Sequence, residues 1–494
     1  MQVLDWTVLI AYFVAMLGVG VWARTKIKDA KDFFTAGGHM PWWLSGISHH
    51  MSGYSSAVFV GYAALAYTFG FSLYIWWAVS IAIALFIGAQ IFAPRWAWLR
   101  ERFDVISPLE YLATRYNIPA QQILAWSGTF LKIFDVGAKW ASAAILLNAF
   151  AGVPFVFGIL LTGGVTLIYS VIGGLWADAL TDFSQFLIQI VAGIAMLVAT
   201  LAKLGGITAL WTMWSHLPPA HSHPFNASYG PLFALGFLSV SFLSYNGGTW
   251  NLAQRFMASP SAAQARRAAR LSAALYLVWP LVLFFPMWAA PLLLPKATDP
   301  QQSYALLTRL LLPNGLVGLV LAGLFAHTMA MTSSDANAIS AVFVRDILPI
   351  FRRGHAILSQ RAELMAGRVA TFAFLALSMG LGLISDRFGG VMGLILMWYA
   401  ALVGPIAVPM LLGLLPAFRR AGPLSAVAAL AAGIAAFVYL RFGDTTILKA
   451  LDADFIAALN VAGPTVAAFI AYLAAAILVP WKNASSDALI ERLK

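Results

Sequence analysis

The sequence predicts an all-α integral membrane protein carrying an inverted repeat of helices, and three observations predict it. Hydrophobic residues make up 61% of the 494 and charged residues only 10%, with a mean hydropathy of +0.83. A soluble domain carries about 25% charged residues, so an ordinary soluble enzyme is excluded. Apolar runs long enough to cross about 30 Å of hydrocarbon, which takes roughly 20 residues each, recur along the whole chain. Two of these runs are interrupted by small and polar residues at corresponding places.

Taken in order, the runs place about thirteen spans near 5–23, 43–69, 72–93, 120–150, 154–172, 181–203, 231–256, 271–294, 313–345, 369–385, 388–416, 423–440 and 457–480. The first run has its basic residues after it (Arg24, Lys26, Lys28) and no small-residue cleavage pattern, so it reads as a helix of the mature protein and not a signal peptide. With 5–23 set aside as an extra N-terminal helix, 43–203 forms a first group of five spans and 231–416 a second. Five is odd, so the second group enters the membrane in the opposite sense. Residues 423–480 add two C-terminal helices, and 1–494 is read as one transporter domain.

The interruptions are "HHMSGYSSAVF" (49–59) and "SYNGGTWN" (244–251), each in the first helix of its group. Gly, Ser, Asn and Thr weaken a helix and leave main-chain groups that hydrocarbon cannot satisfy, so such backbone survives only beside protein or a water-filled cavity. Paired breaks in two halves point to a transporter's midplane binding site. A passive channel fits this pattern less well, and the short stretch after Trp481 has no room for the kinase or receiver module of a sensor.

The basic residues sort by side. Arg24–Lys31, Arg95–Arg115, Arg255–Arg270, Arg345–Arg368 and Arg419–Arg420 fall in loops of one side, against Lys203, Lys296, Arg309, Arg387, Arg441 and Lys449 on the other. By the positive-inside rule the N-terminus is outside and the C-terminus cytoplasmic, as an odd number of spans requires. The expected partners are a lipid bilayer (a bacterial cytoplasmic membrane) and a small solute. No nucleic acid is expected despite the net charge of +11, and a monomer is expected to suffice. With no cysteine, disulfides and thiolate chemistry are excluded, and no HExxH, GxSxG or P-loop pattern supports an enzyme. "SHLPPAHSHPFNASYGP" (215–231) reads as a polar external loop.

Several motifs resemble the sodium/solute symporters: "DFFTAGGHMPWWLSGIS" (32–48), "SPLEYLATRY" (107–116), "GGLWADALTDFSQ" (173–185), "LAQRF" (252–256) and "FAHTMAMTSSDANAISAVFVRD" (325–346). The resemblance runs from about residue 5 to 420 and implies a LeuT-type 5+5 fold, alternating access and solute uptake driven by sodium. It further implies one sodium position between the first break and span 313–345. Main-chain carbonyls there match Met51, Tyr54 and His327, and a hydroxyl pair matches Ala330 and Met331. Neither of those two offers the oxygen that a hard cation requires, so this position is expected to be degraded. A second position, an aspartate with two hydroxyls, matches Asp182, Ser333 and Ser334, where the coupling ion is expected. A proton on Asp182 or His327 is the alternative, since His titrates near neutrality and burial shifts carboxylates.

For the solute, the resemblance implies lining by Ser55, Trp77 and Asp135, with Asn246 and Thr249 of the second break and Tyr399 nearby. Sialic acid carriers place an arginine where Asp135 stands, so a sialate-like solute is not expected. Lys139 at i+4 and Lys132 at i−3 can pair with Asp135 on one helix face. Trp76, Trp77, Trp250, Trp398 and Tyr399 offer flat rings with polar edges, which suits a sugar or another neutral polyhydroxylated solute, with an amino acid or sugar acid left open.

Overall fold

The computed structural model describes the chain apart from residues 296–298, 352–358, 389–390, 392–393, 395–400, 402, 445–447 and 449–450. Among the described residues the regular structure is helical, and an isolated bridge between Asn226 and Tyr229 is the one β feature. Eight of the helices are long and apolar enough to cross a membrane.

The helices that build and frame the site are α1 (Val3–Ala23), α2 (Trp42–Met51), α3 (Ala63–Phe69), α4 (Ser80–Ile91), α5 (Ala93–Phe103), α6 (Ile118–Ala151), α7 (Phe155–Lys203), α8 (Pro231–Leu243), α9 (Trp250–Met257), α10 (Ala262–Leu293), α11 (Leu316–Val342), α12 (Gln360–Leu383), α13 (Gly404–Leu412), α14 (Pro423–Phe442) and α15 (Ala453–Leu478). Lys296 and Lys449, assigned above to an external side, lie outside the described residues, as do Trp398 and Tyr399.

Local sequence explains the boundaries. α6 starts on an Asn117 cap whose side chain accepts from the Ala120 N–H, with Pro119 in its first turn, and ends on Gly152 in the left-handed region (φ 67°). At about 1.5 Å per residue α7 would reach more than twice the hydrocarbon thickness, so its 49 residues must bend. They do so at Gly174 (φ 48°, ψ −146°), where a Cβ would collide with the ring and carbonyl of Phe33. Runs 154–172 and 181–203 are therefore the two arms of one broken helix.

α11 is the centre of the bundle. Every one of its residues from Leu321 to Val342 is buried, and it packs against α1, α6, α7 and α12. The outer helices instead turn large apolar side chains outward, among them Ile10 and Val14 of α1 and Phe157 of α7.

The charge sorting needs one correction. Arg255, assigned above to a cytoplasmic loop, sits inside α9 and is fully buried. Arg115 is also buried, and its guanidinium donates to the carbonyls of Gly413 (2.8 Å), Phe418 (2.7 Å) and Ala421 (2.8 Å). That fork satisfies helix-end carbonyls that lack partners of their own.

Candidate functional site

Both breaks exist, and neighbouring helices satisfy the main-chain groups they release. The chain leaves helical geometry after Met51 and resumes it at Ala57. The Ser56 N–H donates to the Thr328 hydroxyl of α11 (3.1 Å), and the Tyr245 hydroxyl donates to the Gly53 carbonyl (2.8 Å). The Asn251 amide reaches the Ser52 carbonyl (3.3 Å), and the Tyr276 hydroxyl the His50 carbonyl (3.1 Å). In the second break Gly247 takes φ 112°, which only glycine adopts readily, under the Trp96 indole. Trp96 Nε1 donates to the Asn246 carbonyl (2.9 Å), and the Asn246 amide donates to the carbonyls of Ala84 (3.0 Å) and Phe242 (2.8 Å). The two breaks therefore touch each other, through Tyr245 and Gly53, and are tied to the helices around them.

Beside the first break lies a fully buried cluster of carboxylates, hydroxyls and one guanidinium. Asp178 and Asp182 stand one turn apart on α7, so they face the same way. Ser48 and Ser52 both donate to Asp182 Oδ2, Ser52 at 3.4 Å. Asp182 Oδ1 has no hydrogen-bond partner among the described residues. Ser333 and Ser334 of α11 donate to Asp178, Ser334 at 2.9 Å. Both also back-bond to the Ala330 carbonyl, at 3.2 and 2.6 Å. Arg255 Nη2 contacts Asp178 and Ser334 closely, donates to the Ser52 hydroxyl at 3.1 Å, and stands 3.7 Å from Asp182 Oδ2. Ser52 and Ser334 share a hydrogen bond of 2.8 Å that joins the halves of the cluster.

A second buried cluster sits on the other face of the same turn of α11. Lys132 and Lys139 of α6 each bridge Asp135 and Asp335, with Nζ–Oδ distances of 3.0 and 2.6 Å for Lys132 and 2.7 and 2.6 Å for Lys139. Unpaired, four such charges would cost on the order of 10–14 kcal/mol at the centre of a membrane, from about 2.5–3.5 each. Their alternation offsets part of that cost. The pairing expected between Asp135 and the two lysines is present, and Asp335 completes it.

Between the breaks lies a cavity whose polar wall includes Ser55, Asp135, Lys139 and Thr249. Trp77 closes it from the side, edge-on to Tyr54 (5.6 Å between centroids) and Tyr62 (5.4 Å). Met331 also lines it, while Met51 and Ala330 pack against Phe186 in an apolar cluster. The region matched to the first sodium position is thus greasy on its side-chain face. The rings of Tyr54 and His327 lie 4.3 Å apart, tilted by 34°, and both imidazole nitrogens of His327 lack a partner among the described residues.

Several residues are not where the sequence suggested. Asn246, expected on the cavity wall, instead pins the second break to α4 and α8, because its amide is consumed by two carbonyls. Ser333 and Ser334 meet Asp178 directly and reach Asp182 only through Ser52 and Arg255. Sequence reasoning missed Asp178, Ser48, Ser52 and Arg255. The i, i+4 spacing of Asp178 and Asp182 was a readable signal.

The chain and its fold have counterparts among known proteins. The family model described as "Sodium:solute symporter family" matches residues 33–433. The sodium/sialic acid symporter SiaT of Proteus mirabilis is 26% identical over 462 residues, covering 89% of this chain and 90% of its own. The sodium/glucose cotransporter of Vibrio parahaemolyticus is 27% identical, covering 70% of this chain and 68% of its own. The chain belongs to the sodium:solute symporter family. A solved Na+-coupled sialic acid symporter, in a substrate-bound outward-open state, superposes with a TM-score of 0.83 at 24% identity, over 98% of this chain and 99% of that one. This symporter accordingly has a LeuT-like fold, is a multi-pass membrane transporter coupled to sodium, and is not an enzyme.

Proposed function

We propose that this symporter imports a neutral polyhydroxylated solute, a sugar or a related polyol, by alternating access, with sodium held at Asp182 together with Ser333 and Ser334. The observation that carries the solute assignment is the cavity between the breaks. Its aromatic wall of Trp77, Tyr54 and Tyr62 meets hydroxyls of Ser55 and Thr249 and a charge-balanced floor of Asp135 and Lys139. Flat rings bind the apolar faces of a sugar ring, and charged groups take its hydroxyls. No net charge is left on the floor to select a carboxylate or an ammonium. Among the relatives, the sodium/glucose and sodium/myo-inositol cotransporters are named for neutral polyhydroxylated solutes, and SiaT for sialic acid, a polyhydroxylated acid.

Sodium fits the chemistry at Asp182. The carboxylate and the Ser48 and Ser52 hydroxyls offer oxygen ligands, as a hard cation requires, and the buried Oδ1 lacks a partner among the described residues. When bound there, sodium would neutralise the carboxylate and draw α7, α2 and α11 together. Helices 43–203 and 231–416 would then act as inverted repeats within about thirteen spans, N-terminus outside and C-terminus cytoplasmic, in a bacterial cytoplasmic membrane. A single copy would suffice.

The test is uptake of labelled glucose, myo-inositol and sialic acid into proteoliposomes with sodium and proton gradients imposed separately. Sodium-driven uptake of glucose or inositol is expected. Sialic acid alone being transported would overturn the solute class, and uptake driven by protons but not by sodium would overturn the ion assignment.

A further inference from the structure

Asp178 is the residue whose purpose the ion site does not explain by itself. One carboxylate, Asp182, suffices to attract a monovalent cation, yet a second is buried one turn away with no exposed surface to speak of (1%). The cluster also contains Arg255, a permanent cation within reach of both. Were Arg255 to pair with Asp182, that carboxylate would be neutralised by the protein's own charge. The geometry shows the guanidinium shared unequally: Nη2 hydrogen-bonds Asp178 and keeps only an ionic contact of 3.7 Å with Asp182, beyond hydrogen-bond range. Ser45 anchors the arrangement from behind by donating to the Arg255 carbonyl at 2.7 Å. Two carboxylates and one guanidinium leave one negative charge in excess, and Asp182, whose Oδ1 has no hydrogen-bond partner among the described residues, holds the weaker contact with Arg255.

We infer that Asp178 is a positioning residue that sequesters Arg255, and so keeps Asp182 anionic and open to sodium. The inference rests on the proposed sodium site at Asp182. With Asp178 neutral, Arg255 swings onto Asp182 and competes with sodium as a tethered cation. With both Asp178 and Arg255 neutral, the original charge at Asp182 returns.

Equilibrium binding of radioactive sodium to the purified full-length protein in detergent tests this without transport. Asp178→Asn is expected to weaken sodium at least ~10-fold, the effect of one added neutralising charge in a poorly screened site. The double variant Asp178→Asn with Arg255→Gln is expected to return to within about 3-fold of the wild type, and Asp178→Glu to stay within the same range. Asp182→Asn reports on the underlying site: if it retains sodium binding, the ion assignment itself is wrong. If Asp182→Asn loses sodium while Asp178→Asn binds it as tightly as wild type, the role of Asp178 is overturned. Should Asp178→Asn fail to fold, the double variant decides, since sodium binding weaker than wild type by more than about 10-fold contradicts sequestration.

Discussion

Two buried charge clusters flank one turn of α11, and they are built differently. The Lys132–Asp135–Lys139–Asp335 quartet is closed: two cations and two anions alternate, and each lysine touches both carboxylates within 3.0 Å. The Asp178–Asp182–Arg255 cluster is open: it has an extra carboxylate, and one oxygen of Asp182 has no partner among the described residues. A closed network contributes rigidity and specific packing. An open one retains an affinity that something else must satisfy. Ser333 and Ser334 face the open cluster and Asp335 the closed one, so a single turn of α11 carries both.

The largest expected effect separates the two. Asp182→Asn removes the uncompensated charge, and sodium-driven uptake in proteoliposomes should fall at least ~100-fold, about 2.7 kcal/mol of coupling, with folding retained. The protein should even gain some thermal stability, because an unsatisfied buried carboxylate is removed. Next, Asp335→Asn opens the closed quartet by leaving two lysines on one carboxylate. Breaking a buried pair costs about 3–5 kcal/mol, so the thermal unfolding midpoint should drop sharply while the sodium dependence of any folded fraction persists. A loss of sodium dependence without destabilisation would reverse the two assignments.

Smaller effects sharpen the contrast. Asn246→Ala frees the carbonyls of Ala84 and Phe242 and should cost about 1–3 kcal/mol of stability, read by thermal unfolding, with the KM for solute little changed. Thr249→Val, on the cavity wall, should raise KM several-fold and cost only about 1 kcal/mol of stability, the hydroxyl's 2.7 Å hydrogen bond to Ser244 being lost. Ser333→Ala combined with Ser334→Ala should weaken apparent sodium affinity by about 3- to 10-fold, since each hydroxyl is shared with the Ala330 carbonyl and is worth only about 0.5 kcal/mol.

How much of this was legible in the sequence depends on the kind of signal. The breaks at 49–59 and 244–251 were legible because they recur in register in the two groups of spans, whereas either alone could serve close helix packing. Asp135 with Lys132 and Lys139 was legible from helical spacing alone, whereas Asp335, about 200 residues later, joins them only through the packing of α11 on α6. Arg255 was misread because it lies near the basic run Arg266–Arg270, and composition cannot distinguish the last turn of a buried helix from the loop that follows it. Asn246 was misplaced for a different reason. An amide in a break can serve a solute or the backbone, and only the direction imposed by Gly247 decides that it serves the backbone.

The most direct measurement is the sodium-dependent rise in thermal unfolding midpoint of the purified protein, taken in sodium chloride against choline chloride, for the wild type, Asp182→Asn and Asp335→Asn. Asp335→Asn should unfold at a much lower temperature yet keep the wild-type increment, while Asp182→Asn should be at least as stable as the wild type without sodium and lose the increment. A full increment in Asp182→Asn, or its loss in Asp335→Asn alone, would place the ion at the other cluster and contradict the division of labour between them.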